Sequence, residues 1–437
     1  MLRLAACGLL LGPVVRLALA SAPQVNLTSG LWTGTEIEVP DVDRRVEAFL
    51  GVRYAEPPVG DLRFKRPVPR AYGGEEDGTS FGPACFQGNT FYVRKGISFE
   101  FTNLSEDCLH VNIYRPQGAR DAPVVAYVYG GTFIGGFNGM FLYDPEELVA
   151  RHGIIVATIN YRLSVMGFLS MNTTEAPGNQ GLHDILLAIR FVKENARALG
   201  GDPDQLTVWG QSAGGFAAGF LMSSPAAKGL FKRVILQSAS PVSAASQLRL
   251  NSLNGAVSAA SVVNCVDPDR RPEDQLDEMA RCLKKVDAQT LFDGVNKGLG
   301  DHYTITFQPQ IGIDDLIPEF PFQADRSKIR LNDDISEVLT STVSNEGAMF
   351  VEGVLERFQF NSSTTAEDFI SVSRIVLRVL LDMPLQQIRQ STLEYMPVTL
   401  EDLVALRTGM SQLFGDLVFE CPTDLYSDFL ADRGVKV

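Results

Sequence analysis

Between residues 121 and 237 the chain repeats one pattern: a short apolar, β-branched run followed by a stretch with helical spacing. Pro123–Tyr129 (PVVAYVY), Ile154–Asn160 (IIVATIN), Gln205–Gly210 (QLTVWG) and Arg233–Gln237 are the runs, and Glu337–Val343 is a fifth. Runs that are largely apolar, rather than alternating, predict buried strands in a central, mostly parallel sheet flanked by helices, an α/β fold. Two of the helices are read at Gly181–Ala198, with Leu182, Leu186, Ile189 and Val192 on one face, and at the small-residue stretch Ala213–Met222. Before residue 121 the pattern is one of hairpins and loops. A charged helical excursion at 265–300 (containing DQLDEMARCLKKV) is expected outside the sheet. With no internal sequence repeat and no linker, residues 21–437 read as one elaborated domain.

Charge narrows the functions open to such a chain. Its 437 residues carry 52 Asp and Glu against 38 Lys and Arg, a formal charge of −14, where nucleic-acid binding needs basic patches. At 45% apolar and 9% aromatic residues the chain can bury a large core and is not disordered. Residues 1–20 read as a secretory signal: Arg3, an apolar stretch from Leu4 to Leu19, and a small-x-small end at Ala18-Leu19-Ala20. Arg16, Pro13 and the short span disfavour a membrane anchor, so no transmembrane span is expected in the mature chain. Secretion is also favoured by four Asn-x-Ser/Thr triplets, at Asn26, Asn103, Asn172 and Asn361. Once Cys7 has left with the signal, local bridging pairs Cys85 with Cys108 and Cys265 with Cys282, and Cys421 has no partner. A bridge closing about 15 residues typically contributes ~3 kcal/mol.

Chemistry concentrates at Gly210-Gln211-Ser212-Ala213-Gly214, a Gly-x-Ser-x-Gly motif between a buried strand and a small-residue helix. That setting is a nucleophile elbow: the serine sits at the tip of a sharp turn, flanked by glycines, and the helix behind it presents N–H groups to developing negative charge. Tyr129-Gly130-Gly131-Thr132-Phe133 follows another strand, so its backbone N–H groups, with that of Ala213, can receive an oxyanion. A serine hydroxyl also needs a base to take its proton and a carboxylate to hold that base.

These residues carry a family resemblance. The chain resembles the type-B carboxylesterases, the group that includes the cholinesterases, within the α/β-hydrolase fold. The matching segments run in order from Phe49 onward: FLGVRYAEPP from Phe49, Leu62-Arg63-Phe64, SEDCLHVNIY from Ser105, the Gly-Gly loop, Asn160-Tyr161-Arg162, Gly200-Gly201-Asp202-Pro203 and GQSAGG from Gly210. The resemblance implies Ser212 as nucleophile, Glu346 (in Asn345-Glu346-Gly347) as the triad acid, and Gly131, Thr132 and Ala213 as oxyanion donors. It also implies an Arg63–Glu106 pair, an Arg162–Asp184 pair and the two local disulfides. Its substrate would be a small-molecule carboxylic ester. No cofactor or metal is implied, and oligomeric state is not indicated.

The histidine of the triad is the point of departure. His110 reads as core, His152 as the end of a helix, and His183 as the opening of one. His302, in a loop, precedes Glu346 against the Ser–acid–His order. In the family the histidine and the partner of Cys421 follow that cysteine, beyond Val437, so the chain is read as incomplete at its C-terminus and lacking its base. Three further differences bear on substrate. Thr132 replaces the glycine common at the third position of the oxyanion loop. Gln211 stands where cholinesterases carry glutamate. Trp32 and Trp209 both lie outside the Cys85–Cys108 loop, where cholinesterases place a choline-binding tryptophan. Phe91, Tyr92, Phe99 and Phe101 occupy that loop. A general carboxylesterase therefore fits better than a choline-specific one. The alternatives are a catalytically silent binding or adhesion protein on the same fold, an inactive short isoform, or a protein that is acylated once and does not turn over.

Overall fold

The computed structural model describes residues 22–87, 103–243, 252–299, 306–318, 329–357 and 403–437, with scattered positions between 358 and 402. Eight strands form the main sheet. In chain order these are β3 (Thr35–Ile37), β4 (Val46–Arg53), β6 (His110–Pro116), β7 (Ala122–Val128), β8 (Ile155–Ile159), β9 (Gly201–Gln211), β10 (Arg233–Gln237) and β11 (Glu337–Ser341). Their spatial order is β11-β10-β9-β7-β8-β6-β4-β3. The five strands from β11 to β8 are parallel, and β6, β4 and β3 continue the sheet antiparallel. A small second sheet joins β1 (Gln24–Leu27), β2 (Gly30–Thr33) and β5 (Glu75–Asp77). The N-terminal region thus supplies three strands to the main sheet as well as hairpins.

The described helices are α1 (Glu146–His152), α2 (Ser164–Phe168), α3 (Gln180–Asn195), α4 (Ala213–Ser223), α5 (Ser252–Val262), α6 (Leu276–Leu283), α7 (Ala288–Leu299), α8 (Ala348–Arg357), α9 (Leu403–Gly415) and α10 (Cys421–Asp432). A π-helical turn, Asp416–Glu420, joins the last two. Every residue of β8 is buried and only Pro123 of β7 is exposed, which is why these strands read as continuous apolar runs. The sequence expectation for α3 was one apolar face, but the helix is buried nearly all round, His183 and Asp184 included. α6 and α7 lie outside the sheet, as their charge suggests.

Two expectations shift at the edges. β9 begins at Gly201, because Gly201 pairs with Ala122 before the ladder resumes at Leu206. β11 ends at Ser341, because the chain curls and Val343 N–H donates to Glu346 Oε1 at 2.9 Å instead of extending the ladder. Beyond β11, Lys436 adds a single parallel bridge opposite Glu337, with Val338 N–H donating to Lys436 O at 2.8 Å.

Cys85–Cys108 and Cys265–Cys282 are both bridged, and Cys421 is an exposed free thiol. Arg63 meets Glu106 through two hydrogen bonds of 2.6 Å. Arg162 meets Asp184 at 2.8 and 2.7 Å, and its backbone N–H adds a third bond at 3.1 Å. The second pair is fully enclosed, with side chains 3% and 0% exposed, and it ties α3 to the chain leaving β8.

Candidate active site

In a parallel sheet the strands end together, and ligands bind at that carboxyl edge. Here β7 ends into Gly130-Gly131-Thr132, β9 into Ser212, and β11 runs on to Glu346. Backbone bonds lace the edge: Ser212 N–H donates to Gln237 O at 2.8 Å, and Ser238 N–H to Ser341 O at 2.7 Å. Two strand spacings of about 4.8 Å therefore separate the turn after β9 from the turn after β11.

Ser212 is a half-buried residue with φ 52° and ψ −123°, a conformation that non-glycine residues rarely hold. Its own C=O accepts Phe216 N–H at 2.9 Å, so the strained residue is also the start of α4. The flanking glycines are required by contact. A Cβ on Gly210 would lie 2.2 Å from Gly214 O, and one on Gly214 would lie 2.1 Å from Val128 O. A Cβ on Gly130 would fall 2.8 Å from Ser212 Cβ, which places the Gly-Gly loop directly against the serine.

That loop is itself strained. Gly131 has φ 121°, and Thr132 and Phe133 follow at 59° and 60°. Gly131 O accepts Ile134 and Gly135 N–H at 3.0 and 3.1 Å, closing a tight turn. Among the described residues the N–H groups of Gly131 and Thr132 donate to nothing, and Ala213, first residue of α4, has no intrahelical acceptor. The N–H groups of Gly131, Thr132 and Ala213 thus have no backbone acceptor, and the loop that carries the first two is packed through Gly130 against Ser212.

Glu346 is 9% exposed, with Oε1 held by Val343 N–H. The glycine after it is again forced, since a Cβ on Gly347 would sit 1.8 Å from Ser411 O of α9. Sequence reasoning did not find the layer that covers this corner. Phe419 of the π-turn lies 6.5 Å from Phe216 of α4 and 5.7 Å from Phe350 of α8. Ser240 Oγ donates to Pro422 O, and Ser243 Oγ to Val418 O. Burial, then Asp416 and Glu346, push the Glu420 carboxyl above its ordinary range. Gln308 was also missed; its amide donates to Thr132 O at 2.8 Å.

The histidines stand elsewhere. His110 is buried in β6, and burial, opposed by nearby Asp107, lowers its pKa to about 4. His183 in α3 pairs with Asp314, Nε2 to Oδ2 3.0 Å. His152 is exposed in the last turn of α1. His302 lies outside the described residues, as do Phe91, Tyr92, Phe99, Phe101, Asn361 and the whole of 1–20. Asn26, Asn103 and Asn172 are exposed. Trp32 is buried and bonded to Ser29 Oγ, and Trp209 donates to Gln237 Oε1. No group of metal-ligating side chains occurs among the described residues, and no described helix is long and apolar enough to cross a membrane.

Comparison with known proteins adds an independent line. The sequence profile described as "Carboxylesterase family" matches residues 21–437. Acetylcholinesterase-1 of Trittame loki is 29% identical over 445 residues, covering 95% of this chain and 75% of that protein. Acetylcholinesterase of Leptinotarsa decemlineata is 31% identical, covering 94% of this chain and 68% of that protein. Carboxylesterase 3B of Mus musculus is 30% identical, with coverages of 95% and 70%.

Proposed function

This chain belongs to the carboxylesterase family, whose members are carboxylic ester hydrolases, and from that membership we propose a secreted serine esterase that works through an acyl-enzyme. The observation that carries the reading is Ser212 at φ 52° on the strand–helix turn, with Gly130 packed against it. Ser212 Oγ attacks the ester carbonyl; its hydroxyl proton must pass to a base and from it to the departing alcohol, and none of the histidines among the described residues contacts Ser212 to be that base. Gly131, Thr132 and Ala213 N–H groups hold the oxyanion, an effect whose loss typically costs 10²–10³ in rate. Water then releases the acid by the same steps in reverse order. Glu346 is the carboxylate that orients and charge-balances the base.

The substrate class is a small carboxylic ester without a choline requirement. Both tryptophans are committed to packing and hydrogen bonds, and neutral Gln211 precedes the serine, with its Oε1 beside Gly130. The branched Thr132 narrows the acyl side. Residues 1–20 act as the signal ahead of a single domain over 21–437. The two disulfides and the exposed Asn26, Asn103 and Asn172 support an extracellular, glycosylated product.

A second reading, a catalytically silent binding protein on this fold, is favoured by one observation: among the described residues no histidine bonds to Ser212 or Glu346, since His110 is buried beside Asp107, His183 pairs with Asp314 and His152 is exposed at the end of α1. Expression of the secreted protein, with Ser212→Ala as control, separates the two. Ser212-dependent hydrolysis of p-nitrophenyl acetate or butyrate, with fluorophosphonate labelling of Ser212, supports the esterase. Equal background rates in both proteins support the silent binder.

A further inference from the structure

Residues 306–318 form a strap across the N-terminus of α3. Phe307, Leu316 and Ile317 are its buried anchors. Asn179, the N-cap of α3 at φ 58°, grips the main chain of the strap in both directions: Nδ2 donates to Gln310 O, and Gln310 N–H donates to Oδ1, each at 2.7 Å. One turn along the helix, His183 Nε2 lies 3.0 Å from Asp314 Oδ2, the same oxygen that Asn179 Nδ2 reaches at 3.3 Å. The other oxygen of Asp314 accepts Leu316 and Ile317 N–H at 3.0 and 3.3 Å. With its middle clamped in this way, the strap extends Gln308, between Phe307 and Pro309, to the carbonyl of Thr132 at 2.8 Å.

That carbonyl belongs to the first of two consecutive non-glycine residues at positive φ, Thr132 and Phe133. Such a pair does not hold its shape by its own preference and persists only where its surroundings fix it. Two donors do so: Ser164 N–H on Phe133 O at 2.8 Å, and Gln308 on Thr132 O. We propose that Gln308 is a positioning residue of the ester-hydrolysing site, holding the Thr132 carbonyl so that the adjoining N–H groups stay presented to the oxyanion, with the Asn179–Gln310 and His183–Asp314 contacts as its anchor. The role rests on reading Gly131 and Thr132 as oxyanion donors.

The test compares the full secreted protein with Gln308→Met, which removes the donor at similar shape, and Gln308→Glu, which sets an acceptor against the carbonyl. Amide hydrogen exchange at Ile134 and Gly135, whose N–H groups close the turn on Gly131 O, is expected to quicken about 10-fold in the Met variant and further in the Glu variant. Exchange in β7–β9 stays unchanged. In the same order, kcat on p-nitrophenyl butyrate falls about 10-fold or more with KM within about twofold, the pattern of a misplaced transition-state contact. Wild-type exchange at Ile134 and Gly135 in both variants overturns the proposal, as does a uniform rise across the sheet amides. If the wild-type protein hydrolyses no ester while exchange still follows the Met-then-Glu order, the esterase reading fails and the hold of Gln308 on the turn stands.

Discussion

The turn that carries Ser212 and the turn that carries Glu346 lie two strands apart on one sheet edge, yet they are built differently. Around Ser212 the tightest contacts are those of glycines inside the sheet: Gly210 against Gly214 O, Gly214 against Val128 O, and Gly130 against Gln211 and the Cβ of Ser212 itself. Around Glu346 residues 342–345 are exposed, and the turn is backed by an outer layer, α9, the π-turn and α10, whose Val404 and Leu425 face solvent. Ser212, proposed as the nucleophile in a strained conformation, calls for a mount that cannot relax. Glu346, proposed only to orient a base, tolerates a mount made of packed helices. The first turn should therefore fail together with the whole fold, and the second locally.

The largest effect expected from breaking this comparison is at Gly214. A Cβ there, 2.1 Å from Val128 O, cannot be absorbed without moving β7 from α4, and Gly214→Ala should cost more than about 4 kcal/mol. Loss of secreted, folded protein on expression is the readout. Next is the buried pair that ties α3 to the chain leaving β8: Arg162→Met leaves the enclosed Asp184 carboxyl without its partner, at a cost of about 3–5 kcal/mol in urea unfolding. Replacing both partners together by apolar residues should recover much of that.

Acidification sharpens the comparison, because His110 belongs to the sheet. Its folded pKa, about 4, is below the ordinary 6.5, so between those values the unfolded chain binds the proton and the folded one does not. Stability is complete above about pH 6.5 and falls as pH drops towards 4, by about 3 kcal/mol. A His110→Phe variant should flatten that slope in chemical unfolding followed across the range. The smallest effect is expected on the Glu346 side. Gly347→Ala must displace Ser411 O, yet α9 can shift outward, so about 1–3 kcal/mol is expected. Its mark is faster amide exchange confined to α9 and α10, with α4 still protected.

The same contrast decides what the sequence made legible. The apolar runs placed β7, β8 and β10 within a residue or so of their ends; β7 and β8, covered on both faces, leave an uninterrupted pattern, whereas in β10 burial alternates and the apolar Val-Ile-Leu centre alone marks the strand. The start of β9 was hidden: Gly201-Asp202-Pro203 has the composition of a turn, and only pairing with Ala122 makes it a strand. Ser212 and the Gly-Gly loop were readable because their glycines answer local backbone geometry. Gln308 was not, since a glutamine between Phe307 and Pro309 has no periodicity and acquires meaning only when a distant carbonyl comes within 2.8 Å. Glu420 and Phe419 were invisible for the same reason; their partners Glu346, Phe216 and Phe350 are far away in sequence.

The bridge between Lys436 and β11 has a consequence for how molecules of this protein meet one another. β11 is the outermost strand described on that side of the sheet, with Leu339 60% exposed and Val343, just past its end, 59% exposed. An edge strand whose outward N–H and C=O groups face no other strand is a template on which a neighbouring chain can add. Lys436 occupies the entrance to that edge, taking Val338 N–H and donating to Ser336 O, and it brings a positive charge to where an incoming strand would lie. The few residues around Lys436 thus cover part of an edge on which a neighbouring strand would have to pair.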